Sequence, residues 1–383
     1  MQRIFLDNSA TTPIDPAVLA AMTEALADNY GNPSSIHAEG RRARAAIEAA
    51  RKTVAQHLNC SIGEIFFTSG GTEANNMALK NAVRDLGVTR IVSSPIEHHC
   101  VLHSLDTIAA AGAADIIHVP LDKLGRVKYE ELERILQTAP ARPGKTLVSL
   151  MHANNEVGTL LDLEQTAAVC QQNGAYFHCD TVQTIGYYPI DLDATPVSFL
   201  SGSAHKFNGP KGVGFLYVNG DNIIKPYLDG GAQERNMRGG TENLYGIVGL
   251  AAALQLAQER MDHTAVHIRQ LREHFIAGLH EHFPGVEFNG DTAGGHFKVL
   301  SVAFPPSDRA DLLLLSLDMK GIAASGGSAC SSGIDVGSHV VAQLRPGSLH
   351  KTVRFSFGHQ NTLEEVDRVL SALREILPVE VAH

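Results

Sequence analysis

Between residues 65 and 218, short apolar runs rich in β-branched and aromatic side chains alternate with longer helical patterns, and this constrains the fold more than any other feature. The runs at 65–68, 90–93, 116–119, 146–151, 175–179, 197–200 and 214–218 read as strands. The stretches 73–86, 101–111, 129–137 and 163–172 carry the 3.6-residue apolar period of helices. Such alternation predicts an α/β fold, a mostly parallel sheet flanked by helices. In such sheets chemistry collects at the carboxyl ends of the strands. The pattern changes after about Asp221: a long helical stretch over 243–282, strand-like 299–303, helix-like 309–319, strand 353–357 and helix 363–376. This predicts a large α/β domain over 14–255. A small α+β domain over 256–383 is completed by residues 1–13. With 383 residues and 44% hydrophobic content, the chain can bury a core of that size.

Composition narrows the function. A formal net charge of −10 argues against general binding to nucleic acid or anionic membranes. The basic run Arg41, Arg42, Arg44 shares a helical pattern with Glu39 and Glu48, which reads as a solvated helix face. No apolar run is long enough to span a bilayer and no signal pattern follows Met1, so a cytoplasmic location is expected. The five cysteines are odd in number, include no C-x-x-C, and suggest neither a disulfide framework nor a zinc ribbon. Nineteen histidines show no metal-ligand spacing, and no metal is expected.

Several chemistry-bearing residues follow the predicted strands. Lys206 closes Ser201-Gly202-Ser203-Ala204-His205-Lys206, and Asp180 ends the run before it. Lysine condenses with aldehydes, and an acid beside it can pair with a pyridinium nitrogen, so the two suit a pyridoxal phosphate (PLP) site. Gly70-Gly71-Thr72 opens a helix after a strand, a turn that fits a phosphate cradle and an ordinary capped turn alike. Ser203 and His205 adjoin the lysine and are further phosphate candidates. His98 follows the strand at 90–93 and suits ring stacking or proton transfer, and equally a structural histidine. Asn154 and Asn155 suit hydrogen bonds to cofactor or carboxylate, or a turn. Cys330 lies in Gly326-Gly327-Ser328-Ala329-Cys330-Ser331-Ser332-Gly333, where small polar neighbours favour a reactive thiol on a flexible loop running through Gly337 and Gly347. Cys170 and Cys179 sit in apolar patterns and read as buried. Arg354, inside a predicted strand, suits a bidentate clamp on a carboxylate or a structural ion pair.

Taken in order, the motifs resemble the NifS/IscS-like cysteine desulfurases, in the class V aminotransferase group of fold-type I PLP enzymes. The likeness runs through Leu6-Asp7-Asn8-Ser9-Ala10-Thr11-Thr12, Thr68 to Asn76, Glu97-His98, Met151 to Gly158 and Asp180-Thr181-Val182-Gln183. It continues through Ser203 to Lys206, Arg238-Gly239-Gly240-Thr241, Ser328-Ala329-Cys330 and Val353-Arg354-Phe355-Ser356. The resemblance implies Lys206 as the lysine bound to PLP, Asp180 on the pyridine nitrogen, Gln183 on the phenolic oxygen and His98 stacked on the ring. It implies Gly71, Thr72, Ser203 and His205 around the phosphate, with Thr241 reaching a phosphate across a homodimer interface. Asn155 and Arg354 would hold the substrate carboxylate.

The implied reaction converts L-cysteine to L-alanine. Lys206 takes the α-proton, and the Cys330 thiolate attacks the substrate sulfur and keeps it as a persulfide. The implied partner is a sulfur-acceptor protein, either an iron–sulfur scaffold or a thiolation enzyme. The long loop from Cys330 to Pro346 matches the group with a mobile cysteine loop. The short end after 376 argues against docking of an iron–sulfur scaffold in particular. Selenocysteine lyase, cysteine β-lyase and aminotransferase activities are the enzymatic alternatives. A PLP-fold interaction hub for sulfur transfer is the non-enzymatic one.

Overall fold

The computed structural model describes residues 3–326 and 337–378. Cys330 therefore lies outside the described residues. Among the described residues there are twelve strands: β1 (Ile4–Phe5), β2 (Ile65–Thr68), β3 (Val88–Ser93), β4 (Asp115–His118), β5 (Lys145–Ser149), β6 (Tyr176–Asp180), β7 (Phe199–Ser203), β8 (Gly214–Val218), β9 (Glu287–Asn289), β10 (Val299–Phe304), β11 (Ile322–Ala323) and β12 (Lys351–Ser356). All seven runs expected between 65 and 218 are strands, and they form one sheet in the order β2-β8-β7-β6-β5-β3-β4. Its β7-β6-β5-β3-β4 pairings are parallel, and only β8 runs against its neighbours. This is the predicted α/β class.

Side-chain alternation explains why both faces are covered. Phe66, Ile91, Leu147, Phe199 and Leu216 point into one apolar cluster, shared with the helices Gly71–Leu86 and His99–Ala110. Their neighbours Phe67, Val92, Val148, Leu200 and Phe215 point into the main core, with the helices Pro16–Asp28, Ala38–Leu58 and Leu244–Glu259. Strands buried on both faces read as continuous apolar runs, which is why they were legible in the sequence. Gly202 is glycine for a local reason: a Cβ there would come within 2.3 Å of the Phe215 ring on the paired strand.

The edge strand β2 has its outward main-chain groups capped by a buried ion pair. Arg51 donates to the Ile65 carbonyl at 2.8 Å, and Glu234 accepts from the Phe67 N–H at 2.7 Å. The two side chains meet at 2.7 and 3.0 Å, each with 2% of its surface exposed. An edge otherwise open to pairing with another strand is thereby closed. The ion pair also holds Glu234, Arg235 and Asn236 in the left-handed region, at φ of 43°, 55° and 63°. That conformation costs roughly 1–2 kcal/mol per non-glycine residue.

The C-terminal part builds a three-stranded antiparallel sheet, β12-β10-β9. Strand β1 pairs in parallel with β11, and Asp7 bridges to Ser356, so the N-terminal segment joins this part. The expected 243–282 stretch is two helices, Leu244–Glu259 and Met261–His282, broken at Arg260. The expected 309–319 helix is likewise split, into Asp308–Asp311 and Leu313–Met319. The stretch expected as loop up to Pro346 contains a helix, His339–Leu344, whose N-cap Ser338 accepts from Val341 N and bonds to buried Glu156. Two early helices were not fully foreseen. Pro16–Asp28 begins with Asp15 as N-cap and proline in its first turn, and Ala38–Leu58 carries exposed Arg41, Arg42 and Arg44. No helix among the described residues is long and apolar enough to cross a membrane.

Glu234→Ala removes the buried carboxylate of Arg51 and leaves its guanidinium only the more exposed Glu48, 3.1 Å from Nε. Such a substitution should lower stability by about 3–5 kcal/mol. Chemical denaturation checks it, and a loss below about 1 kcal/mol would show that solvent or another acid takes over the cation.

Candidate active site

On the face of the sheet covered by helix Gly71–Leu86, side chains turn from apolar to polar toward the strand ends. Phe199 gives way to Ser201 and Ser203, Leu147 to Ser149, and Tyr176 to His178 and Asp180. These residues alternate along their strands, so they share one face. Asp180 stands opposite Ser201 in the β6–β7 register.

Asn75, one turn into the helix and fully buried, meets them. Its carbonyl oxygen accepts from Ser201 Oγ at 2.6 Å and bonds His178 Nε2 at 3.1 Å. Its amide nitrogen donates to Asp180 Oδ2 at 2.7 Å and to Cys100 Sγ at 3.3 Å. The other Asp180 oxygen accepts from Val182 N at 3.0 Å. The carboxylate is thus oriented by two N–H donors and keeps lone pairs for a further partner.

A cavity of about 240 Å³ lies beside Asp180. Nearly every residue expected at the site lines it: Gly71, Thr72, His98, Asn155, Asp180, Gln183, Ser203, His205 and Lys206. The Lys206 amine donates to the carbonyls of Ser9 and Ala10 at 2.5 and 2.9 Å. His98 caps its helix by accepting the Cys100 N–H on Nδ1 at 3.2 Å, so the neutral ring carries its proton on Nε2. Burial, helped by the charge of Lys206, holds His98 below the usual histidine range against the pull of Asp180. His205 Nδ1 lies 3.1 Å from Thr11 Oγ1, and burial together with Lys206 brings its pKa down to about 4.

The donor set fits a phosphorylated pyridine aldehyde. Helix Gly71–Leu86 starts at Gly70 with φ of 150° and no side-chain cap, so its first N–H groups are available to an anion. Gly71 is glycine for a packing reason: a Cβ there would come within 2.6 Å of the Val182 side chain. Gln183 lines the cavity; its Nε2 gives one hydrogen to Ser9 O at 3.0 Å and has a second to offer, while its Oε1, an acceptor, is buried without a hydrogen-bond partner among the described residues. Among the described residues no group of three or more His, Cys, Asp or Glu side chains is placed to hold a metal ion.

Other candidates are placed differently. Arg354 is not on the cavity wall. It is 1% exposed, donates to the Asn155 carbonyl at 3.0 Å and pairs with Asp7 at 2.7 Å, and its Nε has no partner. Thr241 is exposed and lies with Arg238 and Gly240 in a separate depression. Asn154 is a turn residue: its Oδ1 accepts from Glu156 and Val157 N–H and its Nδ2 donates to the Ile96 carbonyl. Cys170 and Cys179 are buried, as their apolar patterns suggest. Sequence reasoning gave no role to Asn75, Cys100 or Asp7. Asn75 lies one helical turn after Gly71, a spacing that puts both on the sheet-facing side, and this was the available signal.

The chain matches the family model "Aminotransferase class-V" over residues 4–369. A protein of Methanosarcina thermophila named "Cysteine desulfurase IscS" is 41% identical over 98% of this chain and 92% of its own length. A solved "NifS-like protein" is 36% identical with a TM-score of 0.89, covering 98% of this chain and 99% of that one. The structure "SspA in complex with cysteine" is 30% identical with a TM-score of 0.80, covering 94% of this chain and 100% of that one.

The buried histidines set an acid limit on stability. Burial lowers the pKa of His152 and of His178 from 6.5 to about 4. As pH falls below 6.5 the unfolded chain takes up protons before the folded one does, so stability is complete above 6.5 and declines toward pH 4. The expected loss is roughly 3 kcal/mol for each histidine once both states are protonated. Urea midpoints at neutral pH and at pH 5 measure it. His178→Gln should flatten the slope, and an unchanged slope would place the proton uptake elsewhere.

Proposed function

The chain belongs to the class V aminotransferase family and is a cysteine desulfurase, and within that activity we propose the following cofactor, residue roles and sulfur path. The cofactor is pyridoxal phosphate, which supplies an electron sink for the charge left when the substrate α-proton departs. The observation that carries this reading is the convergence of Lys206, Asp180 and His98 from separate strand ends on one cavity. Gly71, Thr72, Ser203 and His205 surround the phosphate, which the N–H groups of a helix start suit. Asp180, oriented by Asn75 and Val182 N, keeps the ring nitrogen protonated. Gln183 serves the phenolic oxygen, and Thr241, exposed on its own chain, serves the partner's phosphate in a homodimer.

Lys206 removes the α-proton and later returns one. His98 exchanges protons through Nε2, because Nδ1 is held by the Cys100 main chain. Arg354 and Asn155 hold the L-cysteine carboxylate. Arg354 spends one N–H on the Asn155 carbonyl and one on Asp7, and its Nε–H has no partner among the described residues. Cys330 takes the substrate sulfur as a persulfide, L-alanine leaves, and the sulfur passes to an acceptor protein for iron–sulfur assembly or thiolation. The catalytic and cofactor-binding residues other than Cys330 and Arg354 fall in the large domain proposed over 14–255. Cys330 and Arg354 fall in the small domain over 1–13 and 256–383.

With L-cysteine and a thiol reductant, the PLP-loaded protein should release alanine and sulfide in equal amounts. Pyruvate in place of alanine would make it a β-lyase. Lys206→Ala should lose the visible band of lysine-bound cofactor and lower the rate at least about a thousandfold. Cys330→Ala should keep the band and yield no protein persulfide. Undiminished sulfide release by Cys330→Ala would remove that residue as the nucleophile.

A further inference from the structure

Lys298 is the one lysine found among the largest fully buried side chains, with 0% of its surface exposed, and no step of the proposed chemistry uses it. It stands immediately before β10, which pairs with the Arg354 strand β12, and its own carbonyl accepts from Phe357 N at 2.9 Å. Its amine reaches across to the cofactor-side turn. Nζ donates to the main-chain carbonyl of Lys206 at 3.0 Å and to Tyr187 Oη at 2.9 Å, and lies 4.3 Å from the centre of the Tyr187 ring. Tyr187 in turn donates its hydroxyl hydrogen to the same Lys206 carbonyl at 3.0 Å. No carboxylate pairs with Lys298 among the described residues, and the charged groups that face it are Lys206 and Arg354. His205, His296 and His359 also feel its charge.

A fully buried ammonium without a carboxylate is costly, and burial, with Lys206 and Arg354 adding to it, holds the Lys298 amine well below the usual lysine range. Two acceptors, the Tyr187 hydroxyl oxygen and the Lys206 carbonyl, lie within hydrogen-bond reach of Nζ, so the group is held by hydrogen bonds rather than by an ion pair. Its focus is the Lys206 carbonyl. This oxygen ends a three-residue turn, Ala204–Lys206, where helix-like geometry supplies no internal donor. A carbonyl offers two lone pairs, and Tyr187 and Lys298 fill both. The peptide plane after Lys206 is thereby pinned from two elements, and with it the direction in which the Lys206 side chain leaves the main chain.

We propose that Lys298 is a positioning residue for the amine of Lys206, acting through the main-chain carbonyl that it holds together with Tyr187. This rests on the reading of Lys206 as the lysine that binds the cofactor. It also ties the two parts of the chain together at the reacting amine, since Lys298 belongs to the C-terminal sheet region and Lys206 to the large sheet.

The test compares Lys298→Met, which removes the donor, with Lys298→Gln, which restores an N–H donor without an amine. The readouts are the rate at which the visible band appears when pyridoxal phosphate is added to apoprotein, and kcat and KM for L-cysteine, each per folded molecule. Lys298→Met should slow band formation and lower kcat by about tenfold with little change in KM, a size expected for a displaced reacting group. Lys298→Gln should recover most of both. A merely structural role would lower the folded fraction and leave the per-molecule rates unchanged, and that outcome overturns the proposal. So does a Lys298→Gln protein as slow as Lys298→Met. Should Lys298→Met not fold, Tyr187→Phe, which removes the other donor to the same carbonyl, is expected to slow band formation, and a wild-type rate overturns the proposal. A wild-type protein that forms no band at all fails the reading of Lys206 itself, whereas a normal wild-type band with unaffected variants fails only the role of Lys298.

Discussion

The buried amide of Asn75 is the contact on which the site's geometry depends. Its oxygen is committed to Ser201 and His178, so its nitrogen has to point at Asp180 and Cys100. Asn75 therefore meets Asp180 with donors only. Three of these bonds, to His178 and Asp180 on β6 and to Ser201 on β7, lock helix Gly71–Leu86 to the sheet, which sets the helix N-terminus beside Ser203 on the cavity wall. Orientation of the acid and placement of the anion cradle are thus one event. The histidine in this set is neutral because it is wholly buried, so the network adds no competing positive charge beside Asp180.

The N-terminal segment links the two sheets to this centre. Strand β1 pairs with β11, Asp7 pairs with Arg354 and accepts from Ser325 Oγ, and Thr12 N–H bonds the His205 carbonyl. Between those anchors, Ser9 and Ala10 present carbonyls to Lys206, and Ser9 also receives Gln183. About a dozen residues thus touch the amine, the phenolic-oxygen candidate and the arginine. Ser325 and Arg354 exchange both main-chain hydrogen bonds, so the strand bearing Arg354 is also the one that fixes the chain just before residue 327.

Strands buried on both faces were legible because nothing but an apolar run fills such positions. Helix 129–137 was legible to the residue from its amphipathic period alone, and helices 163–172 and 363–376 because period and caps agree, as with Asp162 and the Thr362 capping box. The break at Arg260 was not, because the polar residues around it continue a helical pattern and only the turn geometry departs. The site's cavity wall was legible through strand-end logic: Asp180 and Ser203 end a strand, and His98 and Lys206 follow one. What strand logic does not reach is contact across elements. The Asp7–Arg354 pair spans 347 residues and Lys298–Lys206 spans 92, and neither has a local pattern. Asn154 and Asn155 show the opposite limit, since adjacent identical residues take different parts that only the turn after β5 decides.

The charges around the cavity are sparse for a site assigned to a phosphorylated cofactor. Among the described residues Lys206 is the only lysine or arginine on its wall, and burial keeps His98 and His205 below the usual histidine range. The Arg354 guanidinium is already balanced by Asp7. On the proposed reading, phosphate recognition then falls to oriented N–H and O–H groups: the uncapped start of helix Gly71–Leu86, Thr72, Ser203 and the His205 ring. Such donors need no counter-charge when the anion is absent, whereas buried arginines in the same place would. On the wall itself, among the described residues, the cationic side chain is then the one amine that has to react. A fixed amine in a weakly charged cavity must be aimed by its main chain rather than by an ion pair, and that is the demand met by the two donors on its carbonyl.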